Sequence, residues 1–338
     1  MTLLQMDTID QVINDSTSWS DFQTRLASLT DKSKGDVFER LVQLHLQTSP
    51  QYTTKLSDVW LLQDVPPDIK RLLNLPDLDR GIDLIARTHG GDYWSIQAKY
   101  RANPRSTLRM GGDGGIAMFT SLSFVTCRNI SFGLICATTS RPVENMHLIG
   151  DHVGFADLSQ WISLDDDAGK GWQRVKSKIH GRVELPEKIL PYPFQNECIA
   201  AAKDYCGEPE NNRGKIILPC GTGKSLLGFW ISQELGARNV LLVVPNLTLV
   251  SQILRTWTEQ SVAHGVDLDW FAVCGDKSVG KNRKDRQDQL VSSTYDLGIH
   301  CSANVAAWLS EDSTGTKLTV TTYNSGPALA EAAKKVGL

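Results

Sequence analysis

Seven residues, Pro219-Cys220-Gly221-Thr222-Gly223-Lys224-Ser225, constrain the second half of this chain more than any other feature. They stand between a short apolar run, Lys215 to Leu218, and a helical pattern from Ser225 to Leu235 that Gly236 ends. A triphosphate bound at a strand-to-helix turn needs backbone N–H groups pointing into a tight loop and glycines that let the phosphates approach. It also needs a lysine on the β/γ oxygens and a hydroxyl on Mg²⁺. Gly221, Thr222 and Gly223 supply the loop, Lys224 the cation and Ser225 the hydroxyl, so the expected ligand is ATP with Mg²⁺. Downstream, Val240 to Val244 reads as a fully apolar strand, Leu247 to Trp257 as a helix, and Phe271 to Cys274 and Leu318 to Thr322 as further strands. Such alternation predicts a doubly wound parallel sheet.

The phosphate loop accounts for only part of the chain. At about 150 residues per domain, 338 residues imply roughly two domains. Pro186, Pro191 and Pro193 fall within Leu185 to Phe194 and forbid a continuous helix, which puts the boundary there, after a polar stretch at Asp165 to Gly169. The expected division is a helical extension over 1–33, a first domain over 34–165, a linker over 166–190 and a second domain over 191–338. The formal charge of −3 gives the chain no general attraction for polyanions, so nucleic-acid contacts must come from local patches. No apolar stretch is long enough to cross a membrane and the N-terminus lacks a secretory signal, so a cytoplasmic protein is expected. Seven scattered cysteines without a CxxC pair read as reduced, mostly buried thiols.

In the first domain, Lys34 to Gln47 has the spacing of an amphipathic helix, with Glu39 beside its apolar stripe. Gly81 to Arg87 and Tyr93 to Lys99 read as strands joined by the turn His89-Gly90-Gly91-Asp92, and Phe132 to Ala137 as a buried strand. Period-2 geometry sets Gln97 and Lys99 on one face. Phosphodiester hydrolysis requires a hard divalent cation held by oxygens, which Asp83, Glu39, the Gln97 side chain and the Ala98 carbonyl offer. It also requires a nearby cation to orient water and stabilise the developing charge, a role that fits Lys99. Asp79 competes with Asp83; Asp83 is favoured because it belongs to the apolar strand, leaving Asp79 to cap the turn. Beyond Lys99, Arg101, Arg105 and Arg109 with Asn103 and Ser106 form a basic stretch that reads equally as a phosphate grip or a solvated loop. A second basic segment, Gly275 to Gln289, reads by default as a solvated loop.

These residues carry resemblances. Gly81-Ile82-Asp83-Leu84-Ile85-Ala86 followed by Trp94-Ser95-Ile96-Gln97-Ala98-Lys99, with Glu39 on the preceding helix, resembles the Mrr-like branch of the PD-(D/E)xK nucleases. The phosphate loop has Leu218 where the strict P-loop pattern has glycine, and so resembles the GxGK[ST] form of helicase-type motors. Gln195, after Pro193-Phe194, has the paired donor and acceptor to read an adenine edge. Val243-Val244-Pro245-Asn246 resembles motif Ia of superfamily 2 helicases, and Val320 to Ser325 resembles motif Ib. In this order the chain, over roughly 34–338, resembles the amino-terminal portion of type ISP restriction-modification enzymes.

The resemblance implies a restriction-endonuclease-like PD-(D/E)xK domain followed by a RecA-like doubly wound domain, both α/β. Their expected partners are double-stranded DNA and the downstream motor, methyltransferase and target-recognition domains of a longer polypeptide. No acid pair of the Walker B kind precedes Leu338 and no second lobe supplies an arginine finger, so the second domain is expected to be an incomplete lobe. The expected function is Mg²⁺-dependent DNA cleavage joined to part of an ATP-driven translocase. The alternatives are a catalytically inactive DNA-binding and coupling module, or a repair helicase-nuclease.

Overall fold

The structure is a computed structural model that describes residues 3–76, 81–112, 115–140, 152–208, 210–211, 213–273, 302–311 and 313–337. Asp79, Cys274, Cys301 and the basic segment Gly275 to Gln289 lie outside these residues. The chain divides into two compact units between Glu184 and Leu185, at the start of the proline-rich break.

The first unit runs α1 (Leu3–Asp15), α2 (Trp19–Ala27), α3 (Asp31–Thr48), α4 (Pro50–Thr53), β1 (Leu56–Leu61), α5 (Pro67–Leu73), β2 (Leu84–Thr88) and β3 (Tyr93–Lys99). It continues with α6 (Ile116–Ser121), β4 (Ile130–Ala137), β5 (Val153–Ala156), α7 (Leu158–Ile162) and α8 (Asp166–Ile179). The strands form one mixed sheet in the order β1-β2-β3-β4-β5, antiparallel as far as β3 and parallel beyond it.

Alternation along the strands splits the core. Leu84, Ala86, Ile96, Ala98, Leu134 and Cys136 face one layer, where they pack with Val37, Phe38 and Leu41 of α3. Ile85, Tyr93, Ile135 and Phe155 face the other, with Ile116 and Phe119 of α6. Thr30 caps α3 by accepting from the Ser33 N–H at 3.2 Å. Arg40 holds α1 through a two-pronged pair with Asp10, at 2.8 and 3.0 Å.

Two expectations change here. The segment expected as an extension, 1–33, belongs to the core: Ile13, Trp19, Phe22 and Leu26 are buried against α3 and α8. The expected linker, 166–190, is not a single connection. Its first part is α8, whose Trp172 stacks obliquely on Phe22 at 5.6 Å and donates from Nε1 to Asp165 at 2.7 Å. Burying an indole of this size outweighs the polar look of Asp165 to Gly169, whose left-handed residues Asp167, Ala168 and Gly169 only redirect the chain into the helix.

His45, on α3, is fully buried between the rings of Tyr52 and Trp161. Desolvation, with a smaller contribution from the Arg174 charge, pushes its imidazole down to about 4. The folded protein therefore keeps His45 neutral at a pH where the unfolded chain, titrating near 6.5, takes up a proton. Stability present above pH 6.5 is lost as pH falls towards 4, by roughly 3 kcal/mol on the span of that shift. Chemical denaturation across this range is expected to show the loss, and the same series on His45→Gln to show a flatter slope.

The second unit runs α9 (Pro193–Gly207), α10 (Lys224–Glu234), β6 (Asn239–Val244), α11 (Leu247–His264), β7 (Leu268–Val273), α12 (Ser302–Ser310), β8 (Thr316–Thr322) and α13 (Gly326–Lys335). Its sheet is wholly parallel, in the order β6-β8-β7, so β8 enters between two strands that precede it. This crossover order fits the doubly wound expectation.

The run Lys215 to Leu218 is not a strand. None of it pairs with β6, β8 or β7, and Ile216 and Ile217 are exposed; a four-residue parallel strand has no stability without a ladder partner. For a related reason β6 is not fully buried. It is the edge of this sheet, and Leu241 and Val243 point to solvent. The cysteines also divide: Cys127 and Cys136 are buried, Cys198 half-buried, and Cys206 and Cys220 exposed, all as free thiols.

Candidate active site and phosphate loop

The first candidate site forms where β2 begins and β3 ends. The ladder between these strands runs only from Leu84 opposite Ile96 to Arg87 opposite Tyr93. Past Ile96, β3 keeps β4 on one side and opens to the chain entering β2 on the other. Asp83 fills that opening. It is buried, its N–H donates to the Ile96 carbonyl at 2.9 Å, and its Oδ2 accepts from the Ala98 N–H at 2.6 Å. A strand residue directs its N–H and C=O to the same edge, so the Ala98 carbonyl faces the same open edge as the N–H that Asp83 accepts from.

Gln97 is fully buried. Its Nε2 donates to the Gly81 carbonyl at 2.7 Å, and its Oε1 has no hydrogen-bond partner among the described residues. Gly81 explains how the two chain segments approach so closely. Its φ is +112°, a conformation that glycine favours, and a Cβ there would lie 3.1 Å from Gln97 Nε2. Strand patterning identifies Gly81 only as the start of a strand; its place directly before the Ile-Asp pair is the signal that the sequence offers for this role.

Lys99 is two residues on from Gln97 and half-buried, and its ammonium has no ion pair among the described residues. Both side chains alternate with Ile96 and Ala98, which places them on the α6 side of the sheet. Glu39 belongs to the opposite layer, half-buried on α3. The neighbouring Phe38 ring packs on Tyr100 at 6.3 Å, so the first half of α3 lies over the end of β3. Burial pushes the Tyr100 hydroxyl up, and the charges of Lys34 and Asp31 also reach it. The structure thus brings Asp83 to the Ala98 backbone and Gln97 to Gly81, sets Lys99 on the same face of β3 as Gln97, and leaves Glu39 on the opposite layer.

These donors suit a hard cation. Among the described residues no group of three His, Cys, Asp or Glu side chains is arranged to hold a metal. An amide oxygen, carboxylates and a main-chain carbonyl are what Mg²⁺ or Ca²⁺ takes. The orphaned Gln97 Oε1 argues the same way. A buried acceptor without a partner costs about 1–3 kcal/mol, which a bound cation would offset.

The second candidate site is the phosphate loop. Gly221 and Gly223 are left-handed, with φ of +79° and +72°, and α10 starts directly after them at Lys224. The Lys224 ammonium is folded back onto the carbonyls of Leu218 and Pro219, at 3.0 and 2.6 Å. Thr222 Oγ1 also donates to the Pro219 carbonyl, at 2.8 Å. Ser225 is half-buried at the first turn, and its carbonyl accepts from the Trp257 indole of α11 at 3.0 Å.

Gln195 lies in the first turn of α9 and is buried. Its Oε1 accepts from the Tyr192 N–H and its Nε2 donates to the Thr222 carbonyl, both at 2.8 Å. One edge of this amide caps a helix and the other holds the phosphate loop, so both of its polar atoms are engaged within the protein rather than turned to an adenine.

Comparison with known proteins places both halves. Residues 47–149 match an Mrr-type family model described as restriction endonuclease, and residues 188–332 match one described as Type III restriction enzyme, res subunit. Among solved structures, the ATP-dependent Type ISP restriction-modification enzyme LlaBIII bound to DNA matches with a TM-score of 0.66 at 22% identity, covering 96% of this chain. The chain has the fold of part of a Type ISP restriction-modification enzyme. It spans 19% of the length of that solved enzyme. A nuclease-deletion mutant of the Type ISP enzyme LlaGI, in complex with a DNA substrate mimic, matches with a TM-score of 0.35 at 23% identity, covering 44% of this chain and 14% of that one. The curated proteins give no match. A nuclease-type segment therefore precedes a helicase-like one, in the order the motifs predict. No described helix is long and apolar enough to cross a membrane.

Proposed function

We propose that the first unit is a Mg²⁺-dependent endonuclease acting on double-stranded DNA, and that the second is the nucleotide-binding part of an ATP-driven DNA translocase, together serving restriction of foreign DNA in the cytoplasm. The observation that carries this reading is the Gln97 amide: a buried oxygen without a partner among the described residues, on the strand whose next residue, Ala98, holds the buried Asp83. A structural role alone would leave that oxygen uncompensated.

In this reading Asp83, Gln97 Oε1 and the Ala98 carbonyl would hold the cation, which would supply Lewis-acid charge to the phosphodiester and lower the pKa of water, while Glu39, on the opposite layer, is not among its direct ligands. Asp83 is kept in place by the Ala98 N–H, and Gln97 by the Gly81 carbonyl, so both acceptors are oriented before anything binds. Lys99 orients the attacking water and steadies the charge that builds on the attacked phosphate. In the second unit Lys224 and Ser225 would serve the phosphates and Mg²⁺ of ATP, with the Gly221, Thr222 and Gly223 backbone as their cradle, and Gln195 would read the adenine only by exchanging its bonds to Tyr192 and Thr222. The relative described as ATP-dependent and bound to DNA supports both substrates, and the chain matches only a small share of its length; motor, methyltransferase and target-recognition domains of a longer polypeptide are the partners this reading expects.

Supercoiled plasmid incubated with Mg²⁺ and ATP tests the reading. Nicked or linear product that EDTA prevents and Asp83→Ala abolishes supports it; cleavage that survives Asp83→Ala contradicts it.

A further inference from the structure

The stretch after β3 concentrates charge in a way the chain as a whole does not. Between Asp92 and Glu144 there is one carboxylate, Asp113, against six cations: Lys99, Arg101, Arg105, Arg109, Arg128 and Arg141. Arg101, Arg105 and Arg109 are exposed and form no ion pair among the described residues. Among the described residues only Arg101 of the three has a side-chain hydrogen bond, from Nη1 to the adjacent Tyr100 carbonyl at 2.9 Å.

Their backbone is fixed. Thr138, buried at the end of β4, accepts from the Arg101 N–H at 2.7 Å and donates to the Arg101 carbonyl at 2.8 Å. Ser140 donates to the Pro104 carbonyl from both its N–H and its hydroxyl, at 2.9 and 3.1 Å. Asn103 Oδ1 turns the chain by accepting from the Arg105 N–H at 2.9 Å. Leu108 is buried in the α6 layer, and the Arg109 carbonyl accepts from Ile116 N–H at the start of α6. A solvated loop needs none of these ties. Here they hold three guanidiniums outward at intervals of four residues, starting two residues after Lys99.

We infer that this arch is a preorganised phosphate-binding surface, in which Arg101, Arg105 and Arg109 hold the backbone of duplex DNA beside the scissile position. The inference rests on the endonuclease reading for the identity of the polyanion. The three arginines are positioning residues: they set the register of the strand and carry no sequence information.

The test is binding of a short labelled duplex in EDTA, where no cutting occurs, followed by anisotropy over a KCl series. Each phosphate contact contributes about 0.9 to the slope of log K against log salt. Replacing Arg101, Arg105 and Arg109 together with alanine is expected to reduce that slope by about 2 to 3 and to weaken binding tenfold or more. Arg128→Ala, on the same unit but off the arch, leaves it unchanged, and circular dichroism of the triple variant checks the fold. An unchanged slope in the folded triple variant overturns the inference, as does a loss confined to single-stranded RNA. The two readings fail separately. If wild type cuts plasmid while the triple variant binds normally, the arch is wrong and the nuclease stands. If the variant loses binding while wild type shows no metal-dependent cutting, the arch stands and the nuclease is wrong.

Discussion

Lys99→Ala is expected to lower Mg²⁺-dependent plasmid cleavage by about 10²–10³-fold, the usual cost of removing one preorganised group that stabilises transition-state charge. The size follows from the surroundings. Lys99 is half-buried, has no carboxylate partner among the described residues, and stands two positions from the orphaned amide of Gln97. Its charge is therefore available to a ligand. The fold should survive, because no described tertiary hydrogen bond or ion pair uses the Lys99 side chain. Thermal melting of the purified variant checks that point, and cutting at the wild-type rate would remove Lys99 from the mechanism. Asp83→Ala should abolish cutting too, but it also removes the acceptor for the Ala98 N–H, so Lys99 gives the cleaner chemical test.

The second large effect is expected at the phosphate loop. Lys224→Ala should weaken ATP binding by about tenfold to a hundredfold, from the loss of charge-assisted hydrogen bonds worth about 1.5–3 kcal/mol. The lower end allows for the conformation seen in the structure, in which the Lys224 ammonium already has the Leu218 and Pro219 carbonyls as partners and must exchange them for phosphate. Titration with a fluorescent ATP analogue measures the change. Equal affinity in wild type and variant would show that this loop does not hold the triphosphate.

Much of this architecture is legible in the sequence, for reasons that differ by element. The α3 helix and the β2-β3 hairpin carry strong local signals: helical spacing of Val37, Phe38, Leu41 and Val42, and a Gly-rich turn between apolar runs. The site is legible through them, because the hairpin alone puts Asp83 next to Gln97. By contrast β1 carries no clear signal. A bulge at Ser57 interrupts the alternation of Leu56, Val59 and Leu61, and period-2 patterning fails at such a point. The four-residue β5 is too short to carry a pattern at all. The α8 helix is hidden by its acidic start, since only tertiary packing reveals that Trp172 completes the core.

At the site itself, three features emerge only in three dimensions. The left-handed Gly81, the lone Oε1 of Gln97 and the Thr138 clamp on Arg101 all depend on contacts between segments that the sequence separates. Lys215 to Leu218 is the opposite case, an apolar run that suggests a strand but has no neighbour to pair with. Hydrophobic residues before a glycine-rich loop are necessary for a strand, but a partner makes it one.

The proposed nuclease activity requires a divalent-cation site at Asp83 and Gln97. Mn²⁺ titration of the full chain without nucleotide, followed by electron paramagnetic resonance, tests it most directly. Wild type is expected to bind Mn²⁺ at a site that Asp83→Asn eliminates while the fold is kept. Identical Mn²⁺ binding by the two proteins would contradict it.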